Sequence, residues 1–458
     1  MDDAARADAA ERARSMRPAL DARGVRLVAL TWVDNSGITR TKAVPVDRLD
    51  SAAAWGVGAS PCFDTFLFND IGMTSGAVGD LRLHPDLGKL TVLAAQPGWA
   101  WAPADRYGQD GAVHPGDQRG LARAAVRRLA ERGYTAKAAF EVEWVAGEAR
   151  DNADGEDFRP AVHGPAYGHA RLVSRSDYVR DVAVALADQG VAVDQIHPEY
   201  SPGQFEVSVA AADPVGAADD YVLVRETIRA VSHRHGLRAS FAPKVVADGV
   251  GNGGHVHLSV WDGDHNLYSG GDGRFGLTGK GESFAAGILE RLPALLAIGA
   301  PSVASYLRLV PQHWAGAFAV WGLENREAAL RLVTGPAGSR EWAANLEAKC
   351  FDQTANPYLL VAALIFAGLA GLAADATLPD PVDVDPALLS DEERQRRGIR
   401  RLPGSLNEST AAFAADPVLT DAFGERLTSD VLAVRRGEIE HFAGAAPDEI
   451  VAALRWVH

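Results

Sequence analysis

The stretch Gln-Ile-His-Pro-Glu-Tyr-Ser-Pro-Gly-Gln-Phe-Glu-Val-Ser-Val, residues 195–209, places two acidic residues on either side of a turn. The Ser-Pro-Gly turn separates Glu199 from Glu206, and the alternation after Glu206 is typical of a half-buried strand. The turn can therefore bring Glu199 back beside Glu206. Further on, Gly-Asn-Gly-Gly-His-Val-His-Leu-Ser-Val (251–260) predicts a strand that directs His255 and His257 to one face. Carboxylates and imidazoles that converge at strand ends suit a hard divalent cation.

A second pair of acids, Glu141 and Glu143, lies upstream in Ala-Phe-Glu-Val-Glu-Trp (139–144). On a strand these side chains share one face, with Cα atoms roughly 6.5–7 Å apart. Like charges at that spacing repel each other unless a cation lies between them. A single Glu-x-Glu pair is more often a solvent-facing pair of acids. Its recurrence beside the other carboxylate and histidine pairs favours a metal site.

Length and composition are those of an enzyme with two unequal domains. The chain has 458 residues, of which 47% are hydrophobic and 23% charged. Its net charge of −15 argues against binding to nucleic acid or to an anionic membrane surface. The two cysteines, Cys62 and Cys350, and an acidic N-terminus without an apolar core predict a cytoplasmic protein. The apolar run 358–374 predicts a buried core helix rather than a membrane span.

Turn residues at 109–116 predict a boundary between an N-terminal domain of residues 1–107 and a larger domain of residues 108–458. The first domain is predicted to contain a helix, a hairpin and a further strand; their ranges are 3–23, 26–44 and 89–95. The second is predicted to contain helices over 118–133, 176–189, 219–235 and 283–292. The last helix is expected to break at Pro293, and the acidic loop 147–165 is expected to be mobile.

Three further segments complete a set of motifs. They are Arg308-Leu-Val-Pro, Glu324-Asn-Arg-Glu-Ala-Ala-Leu-Arg331 and the stretch 345–358. With the earlier motifs they resemble the glutamine synthetase family in order and nearly in spacing. The resemblance implies an α+β fold, with a small β-grasp-like N-terminal domain and a large C-terminal domain of helices and a curved antiparallel sheet. It also implies homo-oligomeric hexameric rings, usually stacked as dodecamers, whose active sites lie between subunits.

The resemblance further implies ATP and two Mg²⁺ or Mn²⁺ ions in each site. Members of the family activate the γ-carboxylate of glutamate as γ-glutamyl phosphate, from which an amine displaces phosphate. Cations are needed because a phosphoryl group passes between two anions. One ion is expected on Glu143, Glu199 and Glu206. The other is expected on Glu141, His255 and Glu347.

The remaining expected roles concern the substrates. Arg308 is expected to bind the α-carboxylate of glutamate, beside Gly251 and Lys349. Arg326 and Arg331 are expected at the γ-phosphate, because guanidinium groups match phosphoryl oxygens and keep their charge; these two and Arg308 are the expected catalytic residues. His257 and Ser259 are expected to line the nucleotide phosphates. The other histidines, which include His197, are interpreted as surface or structurally satisfied residues.

Position 314 departs from the ammonia-using members. Where those enzymes carry a glutamate that deprotonates ammonium, this chain has Trp314. The N-terminal aspartate that helps to bind ammonium is also not recognisable, Ser60 and Asp64 being the nearest candidates. An indole removes a negative charge and offers an alkylammonium a cation–π contact, worth roughly 0.5–2 kcal/mol.

The sequence therefore predicts an ATP-dependent ligase that joins glutamate to a primary amine, resembling the glutamate–amine ligases. Ethanolamine is slightly preferred over a polyamine, because no acidic amine pocket is recognisable. Two alternatives stay open. One is a glutamine synthetase that uses ammonia with another residue as the base. The other is a non-catalytic relative that binds nucleotide or amino acid.

Overall fold

A computed structural model describes residues 2–73, 78–148 and 158–458. Its strands form two sheets. The strands of the first are β1 (Leu27–Val33), β2 (Thr39–Pro45), β3 (Val57–Ala59), β4 (Leu81–Pro85), β5 (Thr91–Val92) and β6 (Trp99–Gly108). The strands of the second are β7 (Tyr134–Glu148), β8 (Val193–Pro198), β9 (Gln204–Val209), β10 (Leu237–Ser240), β11 (Val256–Asp262), β12 (His265–Asn266), β13 (Phe318–Leu323), β14 (Ala328–Val333) and β15 (Asn345–Ala348).

Helices cover both sheets. They are α1 (Asp3–Ala22), α2 (Leu49–Trp55), α3 (Gln118–Ala130), α4 (His169–Ser174), α5 (Ser176–Asp188), α6 (Pro214–Arg234), α7 (Gly279–Gly299), α8 (Ser305–Arg308), α9 (Arg340–Ala343), α10 (Pro357–Ala373), α11 (Asp391–Arg396), α12 (Leu406–Ala414), α13 (Pro417–His441) and α14 (Pro447–Leu454). No helix in the described part of the chain is long and apolar enough to span a membrane.

The first sheet has the strand order β2-β1-β6-β4-β3, with β5 added beside β6. Strand β1 pairs with β2 through the predicted hairpin turn, in which Oδ1 of Asp34 accepts hydrogen bonds from the backbone of Ser36 and Ile38. The turn packs against the C-terminal part of the chain, because the Asn356 amide donates to the carbonyl of Val33 at 3.0 Å. The predicted strand 89–95 is confined to Thr91–Val92, since a 3₁₀ turn occupies 87–89.

The second sheet has the order β13-β14-β15-β11-β7-β9-β8 and is antiparallel except between β13 and β14. Strand β7 is central and long, and it pairs with β9, β10 and β11. The first sheet lies within residues 27–108 and the second begins at residue 134. The predicted boundary at 107/108 is compatible with this division and stays a prediction. Of the predicted acidic loop, residues 149–157 lie outside the described residues.

The predicted break at Pro293 is wrong, because α7 continues through it to Gly299. Residues on both sides of Pro293 are buried against α10 and α12. That packing outweighs the backbone hydrogen bond that proline cannot make. The helix predicted from 219 begins earlier, at Pro214, because Asp213 caps it through the backbone of Gly216. Helix α10 is the buried core helix that the sequence predicts.

Candidate active site

A cavity of about 650 Å³ lies along the second sheet, with β7, β8, β9, β14 and β15 contributing to its wall. All of the predicted site residues except His257 and Ser259 line it. His257 contacts a residue of the wall, with Nε2 3.0 Å from Oε1 of Glu141. Ser259 is buried, and its hydroxyl accepts a hydrogen bond from the indole of Trp261. The structure therefore does not bring Ser259 to the other predicted residues.

Four side chains that could ligate a metal ion lie together in the cavity: Glu143, His197, Glu199 and Glu206. Strand register places Glu143 of β7 opposite Glu206 of β9, and Glu206 opposite His197 of β8. Ligand atoms of His197, Glu199 and Glu206 all lie within 4.8 Å of one another. Burial, reinforced by the charges of Glu206 and Glu199, raises the pKa of Glu143 well above its usual range. A divalent cation among these oxygens would remove the repulsion, so the donor set fits Mg²⁺ or Mn²⁺.

The place of His197 departs from the sequence interpretation, which gave it no role. Its Nε2 lies 3.5 Å from Oε1 of Glu206, and this contact raises the pKa of His197. The sequence contained a usable signal, because His197 precedes Glu199 by two residues at the end of a strand. Tyr167 was also missed; its hydroxyl donates a short hydrogen bond to Glu199.

The second cluster forms around Glu141. Nδ1 of His255 lies 2.7 Å from Oε2 of Glu141 and 3.3 Å from Oε1 of Glu347. Antiparallel pairing of β11 with β15 places His257 opposite Glu347. Two carboxylates and a histidine at these distances could hold a second ion. Although burial opposes it, neighbouring cationic groups, with Lys349 as the largest contributor, lower the pKa of Glu347 to about 2.

The two histidines differ in protonation. Burial, together with the charge of Lys349, lowers the pKa of His255, which leaves a neutral imidazole able to ligate a metal. Burial also acts on His257, but the hydrogen bond and charge of Glu141 outweigh it and raise the pKa to about 9. A neutral His255 suits a metal ligand, whereas a cationic His257 suits phosphate oxygens. Since ligand atoms of Glu141, His257 and Glu347 also lie within 4.8 Å of one another, the separate roles expected for the two histidines stay a prediction.

Cationic side chains face both clusters. Arg331 of β14 lies opposite Glu347 of β15 and contacts its carboxylate at 3.0 Å. Lys349 contacts the other oxygen of Glu347, also at 3.0 Å. Arg308 is buried, with Nη2 3.3 Å from Nε2 of His255. Arg326 lines the same cavity. The arrangement can gather a carboxylate and phosphate groups beside the metal ligands.

An aromatic wall borders the cavity beside these charges. Trp314 and Tyr200 both line it and remain 42% and 44% exposed. Asp64, a candidate for the ammonium-binding aspartate, is instead 1% exposed in an ion pair with Arg106 of the same chain. Ser60, the other candidate, caps a 3₁₀ turn through the backbone of Cys62. An amine entering the cavity would therefore meet aromatic rings.

Two glycines shape the floor of the cavity. A Cβ at Gly251 would come within 1.9 Å of the carbonyl oxygen of Pro243. Glycine is therefore required at position 251 because the backbone of Pro243 leaves no room for a side chain. The sequence analysis had suggested only that it allows close approach of the substrate. A Cβ at Gly253, which the sequence analysis passed over, would lie 2.7–2.8 Å from atoms of Arg308, His255 and Glu143.

Comparison with known proteins agrees with this geometry. The family model of the glutamine synthetase catalytic domain matches residues 115–451. A gamma-glutamylpolyamine synthetase, GlnA3 of Streptomyces coelicolor, is 56% identical over 97% of this chain and 96% of its own length. The glutamine synthetase of Methanocaldococcus jannaschii is 31% identical over 93% of this chain and 94% of its own length.

Solved structures show the same fold. A novel glutamine synthase homolog has a TM-score of 0.84 and 32% identity, covering 95% of this chain and 99% of that one. A GmaS complex with ADP has a TM-score of 0.82 and 27% identity, covering 94% of this chain and 97% of that one. The predicted α+β fold is confirmed. The chain belongs to the glutamine synthetase family.

Proposed function

We propose that this protein is an ATP-dependent ligase that joins the γ-carboxylate of glutamate to a primary amine, and that the amine is a polyamine. The expectation of a glutamate–amine ligase is confirmed by the 56% identity to a gamma-glutamylpolyamine synthetase. The observation that carries the proposal is the pairing of two carboxylate and histidine clusters with the wall of Trp314 and Tyr200. The two clusters would serve phosphoryl transfer, and the aromatic wall would accept an amine with a carbon chain.

Enzymes of this family use ATP and divalent metal ions. We assign two ions to each site here. One would be held by Glu143, Glu199 and Glu206, with His197 in reach. The other would be held by Glu141, His255 and Glu347. Bound there, the ions would neutralise the phosphate groups and the acid that attacks them.

The chain's own residues then bring the reactants together. Arg308 holds the glutamate α-carboxylate. Arg326 and Arg331 balance the charge of the γ-phosphoryl group as its bond to the β-phosphate oxygen breaks, ADP leaves and a bond to the γ-carboxylate oxygen forms. The amine nitrogen attacks the resulting acyl carbon, the bond to the phosphate oxygen breaks, and inorganic phosphate leaves. The amine loses one proton as the amide forms. Positioning of two anions beside fixed cations accounts for most of the rate expected from such a site.

The choice of a polyamine changes the preference for ethanolamine that the sequence suggested. The relative that acts on polyamines shares more than half of its residues with this chain, whereas the cited glutamine synthetase shares 31%. A long diamine can lay its methylene chain against aromatic rings, and its ammonium groups can lie over them. We further propose a cytoplasmic homo-oligomer of hexameric rings stacked as dodecamers, with active sites between subunits.

The direct test is phosphate release from ATP, Mg²⁺ and glutamate, with mass detection of the product. The amine panel contains ammonium, methylamine, ethanolamine, putrescine and spermidine. We expect release with putrescine or spermidine and formation of the γ-glutamyl adduct. Release with ammonium alone would identify a glutamine synthetase, and binding of ATP without release for any amine would favour the non-catalytic alternative.

A further inference from the structure

The loop 309–317, between α8 and β13, presents Trp314 to the cavity in an unusual backbone conformation. Gln312 and Trp314 have φ angles of 62° and 54°, in a region that non-glycine residues rarely adopt. The Trp314 ring lies against Tyr200, with 5.1 Å between centroids. Backbone conformations of this kind persist only where surrounding contacts enforce them.

The carboxylate of Glu327 makes one such contact. Its Oε1 accepts a hydrogen bond from the backbone N–H of Trp314 at 2.9 Å. This hydrogen bond thus comes from a residue with positive φ. Glu327 is not among the residues that line the cavity, so it reaches the amine site through the loop.

Glu327 is itself held in a fixed turn. Its backbone N–H donates to Oδ1 of Asn325 at 3.0 Å, and the Asn325 amide donates to the carbonyls of Val382 and Val384. Glu327 directly follows Arg326, the expected phosphate-side arginine. The turn therefore connects Arg326 to the loop that carries Trp314.

The second carboxylate oxygen of Glu327 is compatible with another role, which must be distinguished from holding the loop. Its Oε2 is buried and has no hydrogen-bond partner within the described residues. The charged groups that face the carboxylate are Asp385 and Lys349. A carboxylate in that place could act by its charge or as a proton acceptor, as well as by holding the loop.

We propose that Glu327 is a positioning residue that sets the amine preference of this enzyme by holding Trp314 in the cavity through the hydrogen bond that its carboxylate accepts from the Trp314 backbone. This proposal rests on the proposed function, in which Trp314 forms the wall for the amine. It assigns to Glu327 an effect on amine binding and none on the binding of ATP or glutamate.

The test compares Glu327→Ala with Glu327→Gln, and uses Glu392→Gln on the exposed helix α11 as a control. Glutamine keeps an oxygen that accepts from the loop but removes the charge. We expect Glu327→Ala to raise KM for spermidine about tenfold, with KM for glutamate and ATP within about twofold. We expect Glu327→Gln and Glu392→Gln to stay within about threefold of the parent enzyme in every constant.

Two results would overturn the proposal. If Glu327→Gln loses kcat about as strongly as Glu327→Ala, with KM for spermidine unchanged, then Glu327 acts through its charge or as a base. If Glu327→Ala raises the KM for glutamate and ATP as much as that for spermidine, then Glu327 supports the structure in general.

A measurement that does not depend on catalysis can test the role of Glu327 independently of the proposed function. Acrylamide quenching of Trp314 is obtained as the difference between the protein and its Trp314→Phe variant. We expect quenching of Trp314 to increase in Glu327→Ala and to stay unchanged in Glu327→Gln. Unchanged quenching in Glu327→Ala would refute the role in the loop even if no amine proved to be a substrate. Absence of amine-dependent turnover combined with increased quenching would refute the proposed function alone.

Discussion

The rings of Tyr200 and Trp314 lie with their centroids 5.1 Å apart and their planes inclined by 53°. They come from separate loops, one directly after Glu199 and the other six residues after Arg308. The pair therefore presents apolar surface to the same cavity that Glu199 and Arg308 line. We interpret it as the wall along which the carbon chain of the amine lies.

Removal of the Tyr200 ring should weaken amine binding. We expect Tyr200→Ala to raise KM for spermidine roughly three- to tenfold, because an aromatic contact to an alkylammonium is lost. Tyr200→Phe keeps the ring and is the matched control, expected to remain near the parent enzyme. Initial rates at varied spermidine and saturating ATP and glutamate measure the effect. A loss of similar size in Tyr200→Phe would assign the effect to the hydroxyl group instead.

A carboxylate at position 314 should shift the enzyme towards ammonia. We expect Trp314→Glu to raise kcat/KM for ammonium about tenfold or more and to lower it for spermidine, because a negative charge replaces an apolar wall. Parallel phosphate-release assays with the two amines measure the ratio. Trp314→Gln is the control, because glutamine has nearly the shape of glutamate without its charge. It therefore separates the effect of the charge from the effect of the smaller side chain. Unchanged ammonium turnover in Trp314→Glu would mean that position 314 does not contact the amine.

Metal binding should release protons from the site. Burial and the charges of Glu206 and Glu199 raise the pKa of Glu143, so a bound cation must displace its proton. Affinity for Mn²⁺ should therefore fall as the pH falls. Titration calorimetry in two buffers of different ionisation enthalpy counts the protons, and Glu143→Gln should lower that count. An equal count in both proteins would contradict this assignment.

The raised pKa of Glu143 should also affect the stability of the metal-free protein. Its folded state binds the Glu143 proton at pH values where the unfolded state has lost it. The free energy of unfolding should therefore decrease as the pH rises from the ordinary carboxyl range towards the raised pKa. Thermal unfolding after EDTA treatment measures this slope, which should be smaller in Glu143→Gln.

A methyl group at position 253 should disable the site without unfolding the protein. Its Cβ would lie 2.7–2.8 Å from atoms of Arg308, His255 and Glu143, all expected to contact substrate or metal. We expect Gly253→Ala to lower kcat/KM by about a hundredfold or more, since small displacements at reacting centres have effects of that size. Gly279→Ala is the control, because a Cβ there meets no atom within 4 Å. Nearly full activity in Gly253→Ala would show that these side chains can shift freely.

A buried arginine connects the first sheet to helix α6, and we expect its removal to destabilise the protein. Arg119 of α3 contacts Asp105 of β6 at 2.8 Å and Asp219 of α6 at 2.7 Å. We expect Arg119→Ala to lower the free energy of unfolding by about 3–5 kcal/mol, because it leaves a buried carboxylate without its cation. The exposed pair of Arg128 and Glu131 offers a control, since Arg128→Ala should change stability by about 1 kcal/mol or less. Urea unfolding measures both, and equal losses would contradict the argument.

The carboxylate and histidine pairs could be predicted from sequence because their information is local. Alternation along a strand places Glu141 with Glu143, and His255 with His257, whatever else the chain does. The order of the motifs then predicts the family and its fold, which the comparisons confirm. By contrast, local proline chemistry predicted a break in α7 at Pro293, where burial on both sides keeps the helix intact.

Other features depend on contacts between segments that are distant in sequence. His197 joins the first cluster because β8 pairs with β9 in a register that sets it opposite Glu206. Glu327 reaches the backbone of Trp314 because a loop folds back over the turn before β14. The sequence alone determined the types of ligand and their spacing. The tertiary structure decided which residues meet, because strand register and loop closure are set by packing of the whole chain rather than by any local periodicity.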